Sequence, residues 1–369
     1  MTKKQIVIIL GIQLVLLIIS CGNDDVQGTE NEAKITVAEG RAMQVSDLYD
    51  NQIKMLQTVH VELVGKLVVG TEEFIENPSE QTLINIKNIW ENSFLHWKKA
   101  EIYNLGVVQN SFIHTRIHQW PINTCVIERN IESTDFIDSE YIAKNGANSK
   151  GYGAIEYMIY RGSTDMVLSE FISLPNYERR GEYLLALAKN LNEEVLALQK
   201  LWEEAQSALK SNLETGVNGS QNQMVNALIA ALESIKNRKI EEALNSENEG
   251  VEKLEVFRSM LSKEAIVANL NTIQESYTGD YVREEGFGLA SYTTDVLNRP
   301  ELDNAIQEAI QLAISNLNQI EGSLEMAVEN DIDAIETFRE SIQEVIAIFK
   351  TDFSSAANIV VTFNDNDGD

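Results

Sequence analysis

The segment Gly151-Tyr-Gly-Ala-Ile-Glu-Tyr-Met-Ile-Tyr-Arg-Gly162 places one carboxylate, Glu156, among apolar and aromatic neighbours just behind Gly151 and Gly153. Three roles are open to such a group: a buried carboxylate held by hydrogen bonds, a ligand or cation site completed from elsewhere, or a general base with a distant partner. Alone it is a poor metal ligand set. His114 and His118, in His-Thr-Arg-Ile-His-Gln-Trp-Pro, stand four apart and would share a helix face, a spacing that can hold zinc. The zinc-peptidase helix also requires glutamate directly after the first histidine as general base, and Thr115 occupies that place. The pair therefore reads first as packing or surface residues, with ligation as the alternative.

His60 and His96 lie within apolar stripes and read as structural, and Trp90, Trp97 and Trp120 read as core anchors before ligand platforms. Gly151-x-Gly153 and Gly286-x-Gly288 are too short for a dinucleotide fingerprint and suit close backbone approach or unusual φ at a helix start. The tail Asp365-Asn-Asp-Gly-Asp369 begins like a calcium loop but stops before the later ligands, so it reads as a solvated end. No nucleophile elbow, Walker loop or Cys-His pair is present. With 57 acidic against 29 basic residues and a net charge of −28, nucleic acid is an unsuitable partner, because its binding rests on neutralising phosphates. The acids are spread through helices, which points to solubility more than to a cationic ligand.

The elements that must position these residues are helical. Apolar residues recur at spacings of three and four, strand alternation is scarce, and only four prolines interrupt the chain. Helices are expected over Val45 to Val69, ending at Gly70; from Pro78-Ser79 to Gly106; and from Pro175-Asn176 through Trp202, with Asn176 as N-cap. They resume over Met224 to Leu244, Val251 to Tyr277, Glu301 to Val328 and Ile332 to Phe353. The stretch Leu213 to Gln223 is turn-rich and marks a domain boundary. Gly151-Tyr-Gly-Ala-Ile-Glu-Tyr157 is echoed by Gly286-Phe-Gly-Leu-Ala-Ser-Tyr292, and Ala186 to Val195 by Leu312 to Glu321, in the same order. The fold expected is all-α, two related four-helix-bundle domains from an internal duplication: residues 40–215, carrying Gly151 to Glu156, and residues 220–354, followed by an acidic tail, 355–369.

Lys3 and Lys4 precede an apolar run, Ile6 to Ile19, that is short for a membrane span of about 20 residues and fits a signal-peptide core. It ends Ile18-Ile19-Ser20-Cys21, which resembles the lipobox of bacterial lipoproteins, with Cys21 the lipidated residue. Residues 1–21 are thus expected as a signal peptide and 22–39 as a polar linker. Gly22, and not aspartate, follows the cysteine, so the expected location is the outer membrane, periplasmic or surface-exposed, with the membrane as partner through Cys21. Lipidation would leave Cys125 without a disulfide partner.

Trp90-x6-Trp97-Lys-Lys-Ala-Glu-x-Tyr, Gln119-Trp-Pro-Ile-Asn, the Gly151 segment, its Gly286 echo and the closing Thr362-Phe-Asn-Asp-Asn-Asp-Gly-Asp369 together resemble the imelysin-like family, over nearly all of the chain after Cys21. The resemblance implies two helical bundles, a bacterial envelope location and a connection with iron acquisition, through an iron-bearing ligand or an envelope protein partner. Some members have been classed as metallopeptidases. The family's signature, G-x-H-x-x-E, implies a metal-binding or functional pair; Gly151 and Glu156 match it, while Gly153 stands where histidine should be. Iron or zinc is the implied cofactor, with Glu156, His114 and His118 as candidate ligands and no catalytic residue assigned. The expected function is a non-catalytic envelope ligand- or partner-binding protein; a metal-dependent peptidase and a structural or adhesive surface lipoprotein are the alternatives.

Overall fold

The computed structural model describes residues 35–246 and 249–362. The expected signal peptide, Cys21, most of the linker and the acidic end of the tail lie outside the described residues. From Ile35 onward the chain forms one compact unit, all-α, with no β-strand among the described residues.

Helix α1, Val37–Asp47, starts earlier than its apolar stripe suggests. Thr36 explains this: its hydroxyl accepts from the Glu39 backbone N–H at 3.3 Å while the Glu39 carboxylate accepts from Thr36 N at 2.9 Å, a reciprocal cap. A π-helical turn, Leu48–Ile53, leads into α2, Lys54–Glu76. Gly70 does not end α2. A Cβ there would stand 2.7 Å from Ile89 Cδ1, so the glycine lets α2 and the next helix approach closely instead of stopping either. That helix, α3, Glu80–Ala100, opens on a Ser79 cap and buries Leu83, Ile86, Trp90, Phe94 and Trp97 on one face. Each such side chain removed from water contributes about 1.5–3 kcal/mol.

The irregular region carries short helices, among them α4, Ile113–Ile117, and a cis Trp120-Pro121 bond. Helix α5, Gly151–Tyr160, is buried along most of its length. The 35-residue α6, Tyr177–Ser211, packs along α2. Asn176 precedes it at φ 66° and makes no side-chain cap bond. The expected N-cap role fails because capping needs an extended backbone to aim the side chain at the first turn; Asn176 instead makes the sharp entry turn.

After the turn at 212–219, α7, Ser220–Glu233, runs into a π-helical stretch, Ser234–Glu241. The single helix expected over Val251 to Tyr277 is broken: Gly250–Lys253 is one short turn, residues 254–261 form a connecting segment, and α8 is Ser262–Thr278. Helix α9, Pro300–Gln319, packs on α8, and α10, Ile332–Ile348, packs on α9 and on α7. The two halves join where α3 lies against α8. The echoed glycine segments both meet helix starts, at Gly151 in α5 and at Gly288, the residue before Leu289–Ser291. The other echo falls on α6 and on the end of α9.

Candidate functional site

Gly151 has φ +68°, and a Cβ on it would stand 2.1 Å from Ile117 O, so only glycine lets α5 begin against the end of α4. Tyr152, fully buried, then ties α5 to its neighbours. Its hydroxyl donates to Ser93 O at 3.1 Å and meets His60 Nε2 at 2.9 Å, and its carbonyl accepts from Trp90 Nε1 at 3.2 Å. At Gly153 a Cβ would lie 2.6 Å from Ile122 Cγ2, 3.3 Å from Gln119 O and 3.8 Å from His118 Cε1. The space in which the resemblance would set a histidine is filled by the 118–122 segment.

Glu156 lies one turn further along α5 and is 2% exposed. Its Oε1 accepts from both the backbone N–H and the hydroxyl of Ser259, each at 2.9 Å. Burial pushes its carboxyl up to about 7, against the Ser259 hydrogen bonds and Arg258, with Glu325 adding to the rise. Glu325, also raised chiefly by burial, accepts from the Ser262 hydroxyl and from Ser262 N at 3.3 Å. Two buried glutamates thus hold residues 259–262 from two sides. A small cavity of about 140 Å³ adjoins Glu156, lined also by Trp120, Pro121, Glu255 and Arg258.

Beyond it lies a buried charge network. Lys98 at the end of α3 contacts Glu255 and lies 2.6 Å from Glu101; Lys239 lies 2.9 Å from Glu101 and 3.2 Å from Glu255. Asn269 on α8 accepts from Lys239 at 2.6 Å and donates to Glu101 at 3.0 Å. Burial raises the Glu255 carboxyl, but Lys239 and Lys98 outweigh it and hold the group well below the usual carboxylate range. His118 Nε2 sits 3.1 Å from Glu255 Oε1, within ion-pair reach but off the line of a good hydrogen bond. Burial pushes the His118 imidazole down, against the opposing pull of Glu255.

These residues back onto a larger cavity of about 430 Å³ between the halves, whose wall includes Trp97, His114, His118 and Trp120 from the first half and Arg238 and Lys239 from the second. The volume is that of a small-ligand pocket. Arg238 lies 3.8 Å from the Trp120 ring centroid and donates to Trp120 O. The π-helical stretch that carries Arg238 and Lys239 is of a kind that recurs at functional sites. Burial takes His114 down to about 4, with smaller opposed effects of Glu101 and Lys98.

The structure therefore separates the sequence candidates. His114 and His118 share the larger cavity although His118 leaves the helix with extended backbone at its C-cap. Glu156 lines the smaller one, at Ser259. His60 stacks between Trp97 and Tyr152, with ring centroids 5.5 and 6.1 Å away, and His96 donates to Leu56 O at 2.8 Å. The donor set does not fit a metal ion: Glu255 and Glu101 are neutralised by two lysines, Glu156 is engaged by Ser259, and among the described residues no group of three or more His, Cys, Asp or Glu side chains could hold one. Sequence reasoning met Lys98 and Glu101 only inside the Trp97-Lys-Lys-Ala-Glu stretch, with no role given to either, and missed Arg238, Lys239 and Glu255. One signal was available: Lys98 falls four residues after Phe94, inside the buried stripe of α3.

A cavity open to solvent lies between the two halves, over a network of compensated charge. The family model for imelysin, under a peptidase heading, matches residues 53–349, and the chain belongs to that family. Two solved structures share the fold. One is described as an iron-regulated protein A precursor, from Parabacteroides distasonis, with 16% identity, TM-score 0.71 and coverage of 88% of this chain and 97% of that one. The other is an imelysin-like protein from Psychrobacter arcticum, with 16% identity, TM-score 0.72 and coverage of 88% and 98%. At that identity the likeness establishes the fold. No curated protein matches the sequence.

Proposed function

We propose that this member of the imelysin family is a lipid-anchored envelope protein that binds a ligand for iron acquisition without catalysing its conversion. The observation that carries the reading is the cavity of about 430 Å³ walled by both halves of the chain, with aromatic, amide and cationic side chains converging on it. The lysine-paired carboxylates beneath it argue against a metal centre. The iron connection draws on the name of the Parabacteroides relative, and the anchor on Cys21 behind its apolar run.

Radiolabelled iron uptake under iron limitation tests this in bacteria lacking the gene and complemented with wild type, Cys21→Ser or Ala231→Trp. Ala231 lies in the cavity wall, so a large side chain there fills the space. Wild type restores uptake; Cys21→Ser releases the protein from the membrane and does not; Ala231→Trp stays anchored but inactive. Uptake unaffected by the deletion would sink the reading.

A further inference from the structure

We propose that the cavity between the halves selects a small anion bearing carboxylate or phosphate oxygens, and that Arg238 grips it. The inference rests on the ligand-binding reading above and specifies its ligand. Of the charged residues in the wall, Glu101 is committed to Lys98 at 2.6 Å, Lys239 at 2.9 Å and Asn269 at 3.0 Å, and Lys239 is committed to Glu101 and Glu255. Arg238 pairs with no carboxylate among the described residues. Its guanidinium rests on Trp120 at 3.8 Å and one N–H is taken by Trp120 O. A guanidinium has five N–H donors in a planar fork that matches carboxylate and phosphate, and packing on an aromatic ring fixes that fork before a ligand arrives.

The neutral lining points the same way. Trp97 Nε1, which can only donate, and the ring nitrogens His114 Nε2 and His118 Nδ1 are buried without a hydrogen-bond partner among the described residues. Gln109, Gln119 and Asn104 add amide donors around the same space. Trp120 is already engaged by Arg238, by Lys98 and Lys239 at 5.9 Å each, and by stacking with His118 at 5.7 Å, so its ring serves to hold cations. In a chain of net charge −28 the general field repels anions, so a cationic wall with an unpaired guanidinium is set against the trend of the molecule.

The test is titration calorimetry on the chain beginning after Cys21, which retains the compact unit from Ile35 onward. The probes are citrate, ferric citrate, inorganic phosphate and a neutral hydroxamate chelate of iron. At least one anion binds wild type at a single site, and Arg238→Gln weakens it by about 10- to 100-fold, the loss expected for a charge-assisted hydrogen bond pair. Arg238→Lys weakens it less, and Ala231→Trp abolishes it with Arg238 intact; thermal melts confirm that each variant is folded. Binding of citrate with and without iron alike supports the anion as the recognised feature, and binding of ferric citrate alone, still dependent on Arg238, supports it with iron as cargo. Anion binding unaffected by Arg238→Gln overturns the inference. Binding of the neutral chelate alone overturns it while leaving the ligand-binding reading in place. No probe bound by folded wild type overturns both.

Discussion

Glu156 and Glu255 are both buried at the seam between the halves, within reach of the same small cavity, yet their carboxyls are shifted in opposite directions. Glu156 has hydroxyl and amide donors from Ser259, and burial wins, so its carboxyl is raised to about 7. Glu255 has two ammonium partners, which overcome the same burial and keep it ionised. The two donors of Ser259 lower the Glu156 carboxyl too little to offset its burial, whereas two ammonium partners more than offset the burial of Glu255. One seam thus holds a carboxyl raised by burial beside one lowered by its lysines.

Of the two glutamates, Glu255 carries the larger share of stability. Glu255→Gln leaves Lys98 and Lys239 buried with less opposing charge and is expected to destabilise the protein by about 3–5 kcal/mol, read from urea unfolding. A loss below about 1 kcal/mol would show that the network is not charge-compensated as described. Glu156→Ala strands the Ser259 N–H, while the Ser259 hydroxyl keeps Val256 O at 2.9 Å as an acceptor, and should cost about 1–3 kcal/mol by the same measurement.

pH sharpens the contrast because the two glutamates have opposite signs. The folded Glu156 carboxyl is raised above its ordinary 4.5, so its favourable contribution is complete below 4.5 and is lost as pH rises towards about 7, on the order of 1–3 kcal/mol. Glu255 is depressed, so its contribution holds above the ordinary carboxylate range and is lost only as pH falls through its lowered value. Glu156→Gln should flatten the stability profile between about pH 4.5 and 7, measured against wild type; an unchanged slope would remove Glu156 as its source. The smallest expected change is Ser259→Ala, about 0.5–1.5 kcal/mol in unfolding free energy, with the Glu156 carboxyl raised further once the hydroxyl bond is gone.

Long helices were legible because their apolar stripes are local: Leu83, Ile86, Trp90, Phe94 and Trp97 repeat at helical spacing and share one buried face. Breaks were less legible, because a glycine's reason lies across the fold. Gly70 reads as a stop and instead seats Ile89 of the neighbouring helix, whereas the break at 254–261 falls within an unbroken apolar pattern. The role of Gly151 as a close-approach residue was readable from its place before a helix. The seam was not, because Lys98, Glu101, Arg238, Lys239 and Glu255 come from separate segments and each resembles an ordinary surface charge until the halves meet. Lys98 alone betrays itself, by its position in the buried stripe of α3.

The seam is a charge-compensated cavity whose glutamates are engaged by protein donors. The most direct test is calorimetric titration of zinc and iron(II) into the chain beginning after Cys21, with metal content measured on the same samples, for wild type and Glu156→Ala. No stoichiometric metal that depends on Glu156 is the expected result, with both proteins folded. One equivalent of zinc or iron bound by wild type and lost in Glu156→Ala would contradict the account and restore Glu156 as a metal ligand.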